Sequence, residues 1–278
     1  MRNEREMTDL ILSVANADER IRAVILCGSR ANPLAPRDKY MDYDIVYLVD
    51  DVVPFFDNPA WITAQFGKPL IVQMPETMRY PEGDGNFNYL ALFGDGNRID
   101  LSFVKGTYPD DGEPCVVLLD KDGRARNIPT RDGAAWHIVE PPSALDFYSC
   151  CNEFWWCMNN AAKGIARGEL PYVMHMLNDI ERVELENMLS WYIGVTTDFS
   201  ISVGKMCKYL KRYLPPELYA RYAETFSDSD YAHIWAAIDA MCALFHDTAL
   251  AVAEYCGFTY RQDEEDGLRR YLELVKNG

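Results

Sequence analysis

The sequence predicts an α+β protein in which an N-terminal mixed β-sheet domain precedes an all-α helical bundle. Three observations carry this reading. Residues 1 to about 140 alternate short apolar runs with turn residues; residues from about 143 onward repeat apolar side chains at helical spacing; and Pro141-Pro142 forms a stiff junction between the two textures. The expected division is therefore 1–140 and 141–278. With 49% apolar and 25% charged residues, a chain of 278 residues has ample material for a core in each half.

In chain order, Glu4 to Ala17 reads as a helix, and the apolar run Ile21 to Cys27 as a buried strand. Asp42 to Val49 and Pro69 to Gln73 follow as strands. Asn86 to Phe93 and Arg98 to Val104 flank Gly94-Asp95-Gly96-Asn97, a hairpin signal, and Cys115 to Leu119 runs into the turn Asp120-Lys121-Asp122-Gly123. In the second half Ser143, with Asp146 three residues on, caps a helix reaching Gly168. Pro171 opens a second helix that runs to Ile193 and stops at Gly194. A third spans about Asp230 to Tyr255, its apolar stripe formed by Tyr231, Ile234, Ile238, Met241, Phe245 and Ala249.

A formal net charge of −16 repels nucleic-acid backbones and attracts cations, although solubility alone would give the same sign. The eight cysteines contain no C-x-x-C pair, which argues against zinc, and their use as small apolar residues suits a reducing cytoplasm. The charged N-terminus lacks a signal-peptide apolar stretch, and no run of about 18 apolar residues reads as a membrane span. No membrane or nucleic-acid partner is expected, and the chain is expected to be a cytoplasmic monomer or weak homodimer. His137, His175, His233 and His246 are scattered without metal spacing, no G-x-S-x-G elbow exists, and Gly94-x-Gly96 lacks the third glycine of a dinucleotide fingerprint.

The chemistry-bearing residues are carboxylates. Gly28-Ser29 ends the first strand, where backbone N–H groups and a hydroxyl can meet an anion. Asp42 and Asp44 lie two apart along an extended chain and so share one face, with Tyr43 and Ile45 on the other. Two neighbouring carboxylates repel unless a cation lies between them, and oxygen ligands of this kind suit Mg²⁺ beside substrate phosphates. Asp100 is the one charge within Ile99-Asp100-Leu101-Ser102-Phe103, where an unpaired carboxylate costs roughly several kcal/mol. It needs either a basic partner or a metal.

These residues, in this order, resemble the signature of the DNA polymerase beta-type nucleotidyltransferase superfamily. The similarity is closer still to the aminoglycoside 6-adenylyltransferase (streptomycin adenylyltransferase) family. Gly28-Ser29-Arg30-Ala31-Asn32, Asp42-Tyr43-Asp44, Met74-Pro75-Glu76, Ile99-Asp100-Leu101 and Asp120-Lys121-Asp122 resemble it in the first half. Cys150-Cys151-Asn152-Glu153-Phe154-Trp155, Met188-Leu189-Ser190-Trp191 and Ser202-Val203-Gly204-Lys205 do so in the second. The region of Lys163-Gly164 and the tail after Arg212 match more loosely. The resemblance implies AMP transfer from ATP, with Mg²⁺ at Asp42, Asp44 and Asp100, to a hydroxyl of a cationic aminoglycoside, the 6-hydroxyl of streptomycin. Other readings keep the fold and change the acceptor to another antibiotic or a protein side chain, or leave a non-catalytic nucleotide-binding protein. The intact carboxylates argue against the last.

The substrates need further groups. Arg30, next to the Gly-Ser turn, and Lys205 and Lys208, at the expected start of a helix, are candidates for the phosphates, with a solvated surface lysine as the alternative for Lys205. Glu184 has Leu177, Ile180, Met188 and Trp191 at helical spacings around it, which places a carboxylate inside an apolar stripe. It should meet either an internal arginine, Arg182 or Arg167, or a cationic acceptor. Trp155, beside Glu153 on the preceding helix, is either core or a face for a cation. A cleft between the halves is the expected location of the acceptor.

Overall fold

The computed structural model describes residues 2–278 except 59, 82, 109–111, 131–135 and 137, so His137 lies outside the described residues. The chain forms two compact units, Met1–Trp136 and His137–Gly278.

In the first unit, helix α1 (Glu4–Ala17) begins with a capping box in which Asn3 and Glu6 satisfy each other's backbone N–H groups. Strands β1 (Ile21–Cys27), β2 (Tyr43–Val49), β3 (Pro69–Gln73), β4 (Phe87–Phe93), β5 (Arg98–Lys105) and β6 (Cys115–Asp120) form one sheet in the order β3-β4-β5-β2-β1-β6. Only the β2–β5 pairing is parallel; β1–β2, β1–β6, β3–β4 and β4–β5 are antiparallel. Short helices α2 (Gly28–Ala31), α3 (Val53–Phe56) and α4 (Trp61–Phe66) fill the connections.

The sheet is asymmetric because β2 and β5 alternate. Tyr43, Ile45, Tyr47, Ile99, Leu101 and Phe103 face a large core that includes Met7 and Ile11 of α1 and an aromatic cluster around Phe55 and Trp61. The Tyr47 hydroxyl donates to the Ile11 carbonyl and fixes α1 on this face. On the opposite face Val46, Leu48 and Val104 join a smaller cluster with Ala23, Ile25 and Cys115. Asp44, Asp100 and Ser102 continue that second face beyond its apolar part.

The second unit contains α5 (Ala144–Arg167), α6 (Leu170–His175), α7 (Arg182–Thr197), α8 (Leu210–Tyr213), α9 (Pro216–Glu224), α10 (Tyr231–Cys256) and α11 (Gln262–Asn277). Ser143 and Asp146 form the expected capping box, and Gly168 closes α5 in the left-handed region at φ 71°. A π-helical stretch, Met176–Glu181, joins α6 to α7 as one rod. The expected stop at Gly194 is not a stop. The helix continues to Thr197, and Gly194 instead seats the Phe199 ring, which a methyl group there would overlap. Helix α10 is long and apolar enough, by length and composition, to cross a membrane; Ile238, Met241, Phe245 and Val252 along it are buried in the core of this unit.

Candidate active site

Asp44 and Asp100 are direct partners in the parallel β2–β5 register, so two carboxylates stand side by side on the open part of the sheet face. Asp42 lies just before β2 on the same side. Asp100, far along the chain from Asp42 and Asp44, is therefore brought beside them on one face of the sheet. Burial is the main cause of a raised Asp44 carboxyl, pushed up to about 6, with the charges of Asp100 and Asp42 adding to it. Asp42 is also raised, first by burial, while Arg98 opposes the shift.

Arg98 is the residue that the sequence patterns did not single out. Its guanidinium is bidentate on Asp100, with Nε to Oδ1 at 2.8 Å and Nη2 to Oδ2 at 2.6 Å, and Nη1 reaches Asp42 Oδ2 at 3.4 Å. The signal was the i, i+2 spacing of Arg98 and Asp100 on one strand. Asp100 thus has a basic partner, and that partner spans two of the proposed metal ligands. Among the described residues no cluster of three His, Cys, Asp or Glu side chains has metal-binding geometry. The donor set nevertheless fits a hard cation: the carboxylates are all-oxygen donors, and a positive group already stands in between Asp42 and Asp100.

Gly28 explains why a glycine ends β1. Its φ is +65°, and a methyl group on it would overlap the Asp44 carboxylate. Its N–H donates to the Pro114 carbonyl at 3.0 Å, so this amide is committed and not free for an anion. Ser29 follows, half-buried, in the single helical turn α2.

Arg30 is corrected from a phosphate ligand to an internal clamp. It is buried, donates to the Asp42 carbonyl at 2.9 Å and the Met41 carbonyl at 2.8 Å, and lies 3.7 Å over the Tyr43 ring. A guanidinium that holds the backbone on which Asp42 sits positions that carboxylate without facing solvent.

Beside the aspartates, a cavity of about 320 Å³ is lined by Asp44, Asp100, Ser102, Asn88, Asn86 and Asp84, among others. Ser102 donates to Asn88 Oδ1, and Asn88 donates through its backbone and side chain to Glu76. Asn88 and Ser102 are cross-strand partners that continue the polar stripe of Asp100. Period-2 alternation in β4 and β5 was the available signal for them.

The remaining candidates lie in the second unit. Lys205 and Lys208 are exposed, and the expected helix start is a three-residue 3₁₀ turn, Lys205–Cys207. Gly204 at φ 74° and Met206 and Cys207 in the left-handed region prevent a regular helix there. Trp155 is buried: its indole N–H donates to the Tyr260 hydroxyl and Arg269 covers its ring, while the exposed indole is that of Trp156. Glu153 is exposed and accepts from the Cys157 thiol.

Glu184 is corrected from buried to half-buried. The π-helical stretch before it slips the helical register, so Glu181 takes the inward position. Glu181 is 0% exposed, neither carboxylate oxygen has a partner among the described residues, and burial pushes it up to about 8. Neither arginine expected for Glu184 pairs with it. Arg182 donates to Thr225 and stacks on Phe226, and Arg167 lies 3.9 Å from Glu169.

A mixed sheet with a Gly-Ser turn closing one strand and aspartates paired across the two strands beyond it defines a nucleotidyltransferase. The comparisons agree. The streptomycin adenylyltransferase family profile matches residues 1–275, and the chain belongs to that family. It is 37% identical to an aminoglycoside 6-adenylyltransferase of Bacillus subtilis (strain 168), covering 99% of this chain and 98% of that protein. It is also 37% identical to one from Campylobacter jejuni, over 94% and 91% of the two chains. The crystal structure of the aminoglycoside 6-adenyltransferase from Bacillus subtilis aligns over 100% of both chains with 34% identity and a TM-score of 0.50.

Proposed function

We propose that this enzyme transfers AMP from ATP to a hydroxyl of an aminoglycoside, the 6-hydroxyl of streptomycin, and releases pyrophosphate. The observation that carries the reading is the Asp44–Asp100 register with Arg98 spanning Asp42 and Asp100. Family membership supports the acceptor class: the relatives are aminoglycoside 6-adenylyltransferases and the family is described by streptomycin.

Asp42, Asp44 and Asp100 would hold Mg²⁺, which when bound supplies positive charge against the triphosphate and polarises the α-phosphate. Ser29, Lys205 and Lys208 are the groups proposed for the nucleotide, Gly28 leaves room for the Asp44 carboxylate, and Arg30 keeps the Asp42 backbone in place for it. Asp100, once free of Arg98, takes the proton of the acceptor hydroxyl; the hydroxyl oxygen bonds to the α-phosphorus and the bond to pyrophosphate breaks. Catalysis in such a site is mostly positioning and charge stabilisation. Glu153 and Glu184 are proposed to face the cationic acceptor, while Trp155, buried with its indole N–H on Tyr260, packs inside the unit; the Met1–Trp136 and His137–Gly278 units are proposed to be the catalytic and acceptor-binding domains.

The test is pyrophosphate release from ATP and Mg²⁺ with a panel of aminoglycosides. Release with streptomycin and adenylylated streptomycin by mass spectrometry are expected. Release with a different member alone would replace the acceptor, and none with any member would remove the antibiotic class.

A further inference from the structure

Arg98 opens β5 two residues before Asp100, so its side chain leaves the strand on the same face as that carboxylate. Both oxygens of Asp100 accept from it, and Asp42 lies 3.4 Å from its remaining nitrogen. Asp44, opposite Asp100 in the register, joins no ion pair among the described residues. The two acids are also all that holds the guanidinium. Among the described residues it makes no other hydrogen bond or ion pair, and the side chain is 45% exposed, so nothing in the core prevents it from leaving. Arg30 cannot take its place, because its nitrogens are bonded to the Asp42 and Met41 carbonyls and lie 3.4 Å from Glu4. Carboxylates gathered this closely need a positive charge among them whether or not a metal is bound.

We infer that Arg98 is a resident counter-cation: it holds Asp42 and Asp100 in the metal-free enzyme, gives them up when Mg²⁺ arrives with the nucleotide, and then takes a phosphate oxygen of that nucleotide. This rests on the reading above that the three aspartates hold Mg²⁺. The guanidinium and the ion compete for the same Asp100 oxygens. A dication arriving alone must displace Arg98 into water. A dication arriving with a triphosphate offers the displaced fork a new bidentate acceptor, for which a guanidinium is better shaped than an ammonium. Arg98 therefore couples the two ligands: it lowers the affinity for metal alone and raises the advantage that metal and nucleotide give each other.

The experiment is titration of the full chain with Mn²⁺, the free ion being counted by its electron paramagnetic resonance signal, with and without α,β-methylene-ATP, whose bridge cannot be cleaved. No acceptor is present, so the outcome does not depend on which antibiotic is used. Arg98→Met removes the charge and keeps most of the volume at an exposed strand end. Without nucleotide, its Kd for Mn²⁺ should fall about tenfold or more below that of the wild type, because a positive charge next to the ion is gone. The nucleotide should then improve Mn²⁺ binding less in the variant than in the wild type. A merely structural arginine would leave metal binding unchanged or weaken it. Arg98→Lys keeps the charge but not the fork and should lie between the two, which decides the matter if the methionine variant does not fold. Equal or weaker Mn²⁺ binding by the variants, with the wild type binding Mn²⁺ and nucleotide together, would overturn the exchange and leave the metal reading standing. No Mn²⁺ bound by any of the proteins, even with nucleotide, would overturn both.

Discussion

The carboxylates of the sheet and those of the helical unit show how one functional group is put to two uses by its neighbours. On the sheet, Asp42 and Asp100 share Arg98, and Asp44, raised to about 6, remains largely ionised at neutral pH. In the helical unit Glu181 has no cation and no hydrogen bond among the described residues, and at about 8 it stays neutral. Both are shifted first by burial; the difference is the distance to a positive charge. A carboxylate kept charged can hold a metal or take a proton. One kept neutral can do neither.

The sharpest way to break this comparison is Asp44→Asn. If the sheet aspartates act as charge, turnover should fall by about 10²-fold or more with the fold intact by circular dichroism. Comparable turnover would remove Asp44 from the chemistry. Gly28→Ala is next, because the added methyl overlaps the Asp44 carboxylate and the backbone there is left-handed. Turnover should drop by roughly tenfold or more as Asp44 is displaced.

The helical unit is tested through pH. Glu181 is raised in the folded state above its ordinary value of 4.5, so the unfolded chain loses its proton first. The folded protein should lose stability as pH rises from about 4.5 to about 8 and then level off, by on the order of 5 kcal/mol in total from this group. Glu181→Gln should remove that slope, so its melting temperature should exceed that of the wild type increasingly from pH 5 to pH 8. Parallel curves would mean that Glu181 is already ionised in the native state. The smallest effect belongs to a site remote from both sets of acids. Gly194→Ala crowds Phe199 and should cost about 1–3 kcal/mol in urea unfolding while kcat stays unchanged.

Much of the molecule was legible in the order of its residues. Strands β1 to β6 follow from short apolar runs and period-2 alternation, α5 from helical spacing with a cap at Ser143, and α10 from its apolar stripe. The aspartates at 42, 44 and 100 stood out because a charge at a fixed place in an apolar strand is a local anomaly. What stayed hidden was who stands beside whom. Arg30 reads as a free cation next to a turn, yet it is buried on Tyr43 and the backbone of Asp42.

The sequence by itself determined the elements, their faces and the candidate acids, because propensity and periodicity act over a few residues. Only the tertiary structure decided that Arg98 bridges two acids, that Arg30 is a clamp, and that Glu181 rather than Glu184 is the buried carboxylate. The physical reason is that pairing and burial depend on groups far apart along the chain. The π-helical slip at Met176–Glu181 adds to this, for it turns one acid inward and another outward without any mark in a 3.6-residue pattern.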